Sequence, residues 1–191
     1  MEERLPKVCD RMAKSVPAII LAAGASKRLG QPKALVKWDG ESLVSRAARL
    51  LLESKCNPVI VVTRTELQID VVLEAENASV IVNPNPELGR TGSLQLGLKS
   101  LISELGRTPR KVLVAPVDRC GWDNETISSL IECDKNTSPI PSGHPLLLTD
   151  IDVVLGLSKD ASLRDNIEIQ RIQASGKHMN IDTPQDLEGL L

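Results

Sequence analysis

The sequence predicts an α/β domain built on a mainly parallel sheet with helices packed around it. Three observations predict it. Short apolar runs alternate with helix-length connections, the pattern of right-handed βαβ units. The connections carry apolar stripes at helical spacing. The length of 191 residues suits one domain, able to bury roughly 70% of the surface its unfolded chain would expose.

Taken in order, residues 1–15 are charged and lack a sustained period, so they read as an extension that packs as a helix or frays, with the domain over 16–191. Residues 18–22 form a short apolar run cut off by Gly24, which suits a strand buried on both faces. Val44, Ala47, Ala48 and Leu51 recur at i, i+3, i+4, i+7 and give an amphipathic helix. Residues 58–63 and 79–82 read as strands with a helix over 66–76 between them. Leu94, Leu98, Leu101 and Leu105 supply the next helical stripe, and 111–115 a further strand that ends at Pro116-Val117-Asp118. A helix is expected over 124–133. Residues 137–145 hold three prolines and a glycine and read as a loop. In the last third, 146–148 and 169–173 look extended, 161–166 helical, and 178–181 a final strand. Thr183, Pro184 and Asp186 then open a helix as N-cap, first-turn proline and a short capping box.

The composition narrows the function classes. Apolar content comes almost wholly from Leu, Ile, Val and Ala: there is no Phe, no Tyr, and only Trp38 and Trp122. That disfavours an aromatic stacking platform for nucleic acid, and both tryptophans read as packing residues. Lys and Arg number 23 against 25 Asp and Glu, a net charge of −2, so no electrostatic footprint for DNA or an acidic membrane is expected. Cys9, Cys56, Cys120 and Cys133 are widely spaced, without a Cys-x-x-Cys pair, and point to free thiols in a reducing cytosol rather than a zinc site or disulfide framework. With no apolar segment long enough for a span or a signal peptide, the expected location is cytoplasmic.

Parallel sheets bind ligands at the carboxyl ends of their strands, which directs attention to the loop after Ala22 and to Asp118. Residues 21–33 place Leu21, Ala22, Ala23, Gly24, Ala25 and Ser26 ahead of Lys27, Arg28 and Lys33. Small side chains let backbone N–H groups approach phosphate oxygens, and the three cations can neutralise them. Arg28 offers a planar fork, Lys33 a point charge. The plainer alternative is a surface loop with solvated cations. Walker A is excluded because Gly30 is followed by Gln31-Pro32-Lys33, and the dinucleotide fingerprint because only Gly24 is in place.

The pattern Leu-Ala-Ala-Gly-x-Ser-x-Arg-x-Gly-x-x-Lys-x-Leu over residues 21–35 resembles the signature of the MobA/MocA-like nucleotidyltransferases, which include the molybdenum-cofactor guanylyl- and cytidylyltransferases. Gly92-Ser93-Leu94-Gln95-Leu96-Gly97-Leu98 is similar to that family's Ser-Leu-x-x-Gly-Leu helix start, Gly143-His144-Pro145 to its Gly-His-Pro turn, and Asp182-Thr183-Pro184-Gln185-Asp186-Leu187 to its closing Asp-Thr-Pro-Glu-Asp-Leu.

The resemblance implies a Rossmann-like three-layer nucleotidyltransferase fold. It also implies transfer of a nucleoside monophosphate from an NTP to a phosphate-bearing acceptor such as molybdopterin, releasing pyrophosphate with magnesium as cofactor. It assigns Asp118 and Asp182 to the metal, Arg28 and Lys33 to the triphosphate, Gly92 and Ser93 to base or ribose, and His144 to an acceptor phosphate. Ala23 stands where guanylyltransferase-like members carry glycine, so CTP is expected over GTP. Two features depart from the family. Cys120 replaces its usual proline, and the approach to Gly143 is reduced to Thr-Ser-Pro-Ile-Pro-Ser. The alternatives left open are a sugar-phosphate or other small phosphate-ester nucleotidyltransferase and a nucleotide-binding accessory protein with little turnover.

Overall fold

The computed structural model describes residues 15–190. Apart from Ser15, the extension expected over residues 1–15 lies outside them, as does Cys9.

Strand β1 (Ala18–Leu21) starts the sheet. A hairpin follows, β2 (Lys37–Trp38) and β3 (Glu41–Ser42), turned through Asp39 and Gly40. Both turn residues have positive φ, 52° and 80°, which an Asp-Gly pair adopts readily in a two-residue turn. Helix α1 (Leu43–Glu53) begins where the Ser42 hydroxyl accepts the Ser45 N–H at 3.2 Å, and it buries the expected stripe of Val44, Ala47, Ala48 and Leu51. Then come β4 (Val59–Arg64), α2 (Gln68–Glu74), β5 (Ser79–Asn83) and the long α3 (Arg90–Leu105). Strand β6 (Val112–Pro116), α4 (Asn124–Ile131), β7 (Thr137–Ile140) and β8 (Leu146–Leu148) lead to α5 (Ile151–Gly156), α6 (Leu163–Asn166) and β9 (Gln170–Gln173). The described chain closes on a 3-10 helix, Pro184–Leu190.

Seven strands form one sheet in the order β5-β4-β1-β6-β8-β7-β9. All pairings are parallel except those of β8, which runs against both β6 and β7. Strand alternation sends Ala18 and Ile20 to one face, where α1, α2 and α4 pack, and Ile19 and Leu21 to the other, under α3 and α5. The result is the three-layer α/β arrangement expected. Chain order proceeds from β1 outward to β4 and β5, then returns to β6 on the opposite side of β1. That switch point opens a crevice between the carboxyl ends of β1 and β6.

Two expectations are corrected. Residues 137–140 are a strand, not part of a loop: they pair with β9 from Thr137↔Gln170 to Ile140↔Gln173. Proline has no N–H to donate, and with Pro139 and Pro141 in this stretch the pairing with β8 is confined to Thr137↔Leu147. Residues 178–181 are not a strand. That segment lies against residues 118–121 through two separated bonds, Lys177 N–H to the Gly121 carbonyl (2.6 Å) and Ile181 N–H to the Asp118 carbonyl (2.9 Å). No helix among the described residues is long and apolar enough to cross a membrane.

Candidate active site

The crevice at the switch point is a cleft of about 310 Å³. One wall is the loop that leaves β1. The Ala22 N–H still bonds the Val62 carbonyl at 2.8 Å, so the chain quits the sheet only after Ala22. Ala22 and Ala23 are buried, whereas Gly24, Ala25, Lys27 and Arg28 are exposed. Ser26 folds the loop back. Its carbonyl accepts the N–H groups of Leu29 (3.1 Å) and Gly30 (3.2 Å), its hydroxyl accepts the Lys33 N–H (3.1 Å), and its φ is 52°. Buried Leu29 anchors the turn in the core. A 3-10 turn, Lys33–Leu35, then presents the Lys33 side chain back toward β6.

The opposite wall is Pro116, Val117 and Asp118 from the end of β6, joined by Asp182. The Ile181 bond to the Asp118 carbonyl brings the two aspartates together from distant parts of the sequence. Lys33 Nζ donates to Asp118 Oδ2 at 3.1 Å and also to Asp182 Oδ1, so one ammonium bridges both carboxylates. These side chains are only 14%, 18% and 22% exposed, whereas Arg28, 3.2 Å from Asp182 Oδ1, is 72% exposed and contributes a screened pair. The hydrogen bond from Lys33, with a further one from Asn180, holds the Asp182 carboxyl down at about 2.

The cleft thus brings together Leu21, Ala22, Ala23, Gly24, Ser26, Arg28, Lys33, Ser93, Asp118 and Asp182. Ser93 is buried, and its hydroxyl accepts from Asn83 Nδ2 at 2.9 Å. Two of the sequence-derived residues lie elsewhere. Gly92 faces the 157–161 segment: its N–H donates to the Lys159 carbonyl, and a Cβ there would sit 3.3 Å from the Lys159 Cβ. His144 lines a second, larger chamber. Neither tryptophan lines the cleft. Trp122 is buried and donates through Nε1 to the Arg119 carbonyl at 2.6 Å. That bond and the one from Ile181 fasten the backbone around Asp118, where Cys120 has replaced proline.

Sequence reading did not single out Pro86, Gly89 and Arg90, which complete the cleft at the start of α3. The available signal was Gly89-Arg90, directly ahead of the Gly92-Ser93 motif. Gly89 has φ of 115°, and a Cβ there would lie 2.7 Å from the Lys159 carbonyl oxygen, so only glycine lets α3 start this close to the 157–161 segment.

Chemically, the cleft offers small residues, backbone groups, four cations and two converging carboxylates. That is an arrangement for holding phosphates and a hard cation. The family model for the MobA-like NTP transferase domain matches residues 18–151, and the chain belongs to that family. It is 33% identical over 118 residues to a nicotine blue oxidoreductase of Paenarthrobacter nicotinovorans, covering 61% of this chain and 55% of that protein. It is 31% identical over 83 residues to a probable molybdenum cofactor guanylyltransferase of Opitutus terrae, covering 44% and 41%. The chain therefore spans about half or less of the length of these curated relatives. Rv0371c of Mycobacterium tuberculosis H37Rv shares the fold, with a TM-score of 0.76 at 17% identity over 94% of this chain and 98% of that one.

Proposed function

We propose that this member of the MobA-like NTP transferase family binds a nucleoside triphosphate in the cleft between β1 and β6 and transfers its nucleotidyl group to a phosphate-bearing acceptor. The observation that carries the reading is the convergence of Asp118 and Asp182 on one cation, Lys33 Nζ, beside a loop of small residues. Two carboxylates already drawn to a single positive charge are a fitting donor set for magnesium, which takes one or two carboxylates and completes its shell with substrate phosphates and water. When bound between Asp118 and Asp182, the metal would supply positive charge to the phosphate oxygens.

In the reaction, an oxygen of the acceptor phosphate attacks the α-phosphorus in line. A new P–O bond forms, the bond to the bridging oxygen of the β-phosphate breaks, and pyrophosphate leaves with the electron pair. No covalent enzyme intermediate is needed. Arg28 and Lys33 steady the triphosphate, and the loop backbone brings N–H groups to its oxygens. Ser93 and Gly89, at the start of α3, border the base or ribose. The buried methyl of Ala23 narrows the space beside the backbone, which favours CTP over GTP; a methyl-scale contact discriminates by about 1–3 kcal/mol.

Pyrophosphate release, assayed with each of the four ribonucleoside triphosphates and magnesium against a panel of phosphorylated acceptors, tests the reading. Release that depends on both acceptor and Asp118 supports it. Tight NTP binding without release for any acceptor favours a nucleotide-binding accessory role, and release with sugar phosphates alone favours the sugar-phosphate alternative.

A further inference from the structure

Beyond the nucleotide cleft lies a second chamber of about 810 Å³, and the two meet at Arg90, which lines both. Arg119, the residue after Asp118, also enters it, as do Arg164 on α6, Arg171 on β9, His144 and His178. Asp160 is the single carboxylate in its lining. Among the described residues, none of the four arginines forms an ion pair with a carboxylate. Four guanidiniums around one hollow repel one another unless an anion enters. Arginine also keeps its charge at any working pH and forks onto phosphate or carboxylate.

The chamber is also wide. β6 and β9 are three strand spacings apart in the sheet, about 14 Å at roughly 4.8 Å per spacing. Arg119, beyond the end of β6, and Arg171, on β9, therefore enter from opposite sides. The space between is lined by Ile140, Leu146, Leu163 and Ile167 together with the hydroxyl side chains of Ser138, Ser142 and Ser162. At the cleft side sits His144, whose Nδ1 is buried without a hydrogen-bond partner. Burial first, and then Arg119, Arg90 and Arg164, lower its pKa to about 4 against the opposing pull of Asp118. Its imidazole is therefore neutral and free to hydrogen-bond a ligand.

We propose that an acceptor seated in this chamber carries two separate anionic groups. This rests on the nucleotidyl-transfer reading for its role but not for the binding itself. The first anion, the attacking phosphate, lies by Arg90, Arg119 and His144, next to Asp118. The second is held by Arg164 and Arg171.

Calorimetric titration of the full chain with 4-phosphonobutyrate and with butylphosphonate tests the proposal. The two probes share an apolar chain and differ in the second anion. The expected result is binding of 4-phosphonobutyrate tighter by about two- to fivefold, the scale of one additional exposed charge pair. That advantage should vanish in R164Q/R171Q, a change of two exposed side chains, while CTP binding is kept. Equal affinities, an advantage that survives in R164Q/R171Q, or displacement of 4-phosphonobutyrate by CTP would each overturn it. Equal affinities of the two probes for the wild-type chain, with intact CTP binding, sink this inference alone. An intact preference without CTP binding or pyrophosphate release sinks the transfer reading alone.

Discussion

Replacing Lys33 by methionine keeps the unbranched side chain to within one atom of its length and removes the charge that bridges Asp118 and Asp182. In the folded protein the Asp182 pKa falls from 3.8 to about 2 with Lys33 as the largest cause. At about 1.36 kcal/mol per pH unit, the whole displacement is worth about 2 kcal/mol as an upper bound. Asn180 and Arg28 supply part of it and solvent screens the remainder, so Lys33→Met should cost about 1–2 kcal/mol at pH 7. The sign fixes the pH dependence. A carboxyl whose pKa is depressed on folding contributes its full stability above its unfolded value, near 3.8, and loses it as pH falls toward 2. Urea melts in EDTA should therefore show the mutant midpoint lower by about 0.5–1 M at pH 7. The gap between mutant and wild type should close as pH drops below 4. An unchanged midpoint, or a gap that persists at low pH, would refute the electrostatic account and leave only lost packing.

The same substitution carries a second readout of opposite sign. In the absence of nucleotide, a divalent cation must displace the ammonium to reach both carboxylates. Manganese titrated into nucleotide-free protein should therefore bind Lys33→Met more tightly than wild type, while triphosphate binding weakens. Tighter binding of manganese to wild type would show that these two carboxylates are not the cation's site.

The remaining predictions touch other links. Asp118→Asn should reduce turnover by about a hundred- to thousandfold, with the thermal midpoint unchanged within a few degrees; wild-type turnover would remove Asp118 from the chemistry. Ala23→Gly should shift the CTP-to-GTP affinity ratio toward GTP, and an unchanged ratio in competitive binding would locate base choice elsewhere, such as near Ser93. A Cβ at Gly97 would meet Ile19 Cγ2 at 2.9 Å and Val62 Cγ2 at 3.1 Å, so Gly97→Ala should destabilise by about 1–3 kcal/mol in urea melts; a neutral effect would mean that α3 shifts freely off the sheet. Asn136, only 3% exposed, donates to Asp150 Oδ2 and the Glu168 carbonyl and accepts from Thr149 and Asp150. Asn136→Ala should cost about 2–4 kcal/mol by orphaning several buried groups together, and hydrogen exchange should rise first in β7 and β9.

The parts of the fold legible in the sequence are those where one local rule suffices. The stripe of α1 appears in the sequence because 3.6-residue periodicity and a single buried face leave Val44, Ala47, Ala48 and Leu51 as its mark. Strand β1 appears as an unbroken apolar run because both of its faces are covered. The reversal of β8 has no such mark, since Leu146–Leu148 is apolar in either direction. Strand β7 was hidden because prolines depress every local score, while its pairing depends on β9, thirty-three residues away in register. The loop of the candidate site was legible as composition, small residues followed by cations. That Lys33 would sit between the two aspartates was not, because it follows from the Ile181 bond to the Asp118 carbonyl, a contact of long sequence separation.

This difference in legibility follows the difference in burial across the sheet. β1 and β6 lie inside it, with fully covered side chains, so the residues at their carboxyl ends are pinned by the core and leave a compact sequence motif. β9 is the sheet edge, with three of its four residues exposed, and two of the chamber's four arginines, Arg171 and Arg164, stand on it and on the short, exposed α6. Substitutions there perturb no core packing and are free to follow a ligand. On the proposed reading, the nucleotide end is fixed by the fold, whereas the far end of the acceptor chamber is set by exposed charge. Exchanging Arg164 and Arg171 should change the acceptor without changing the nucleotide.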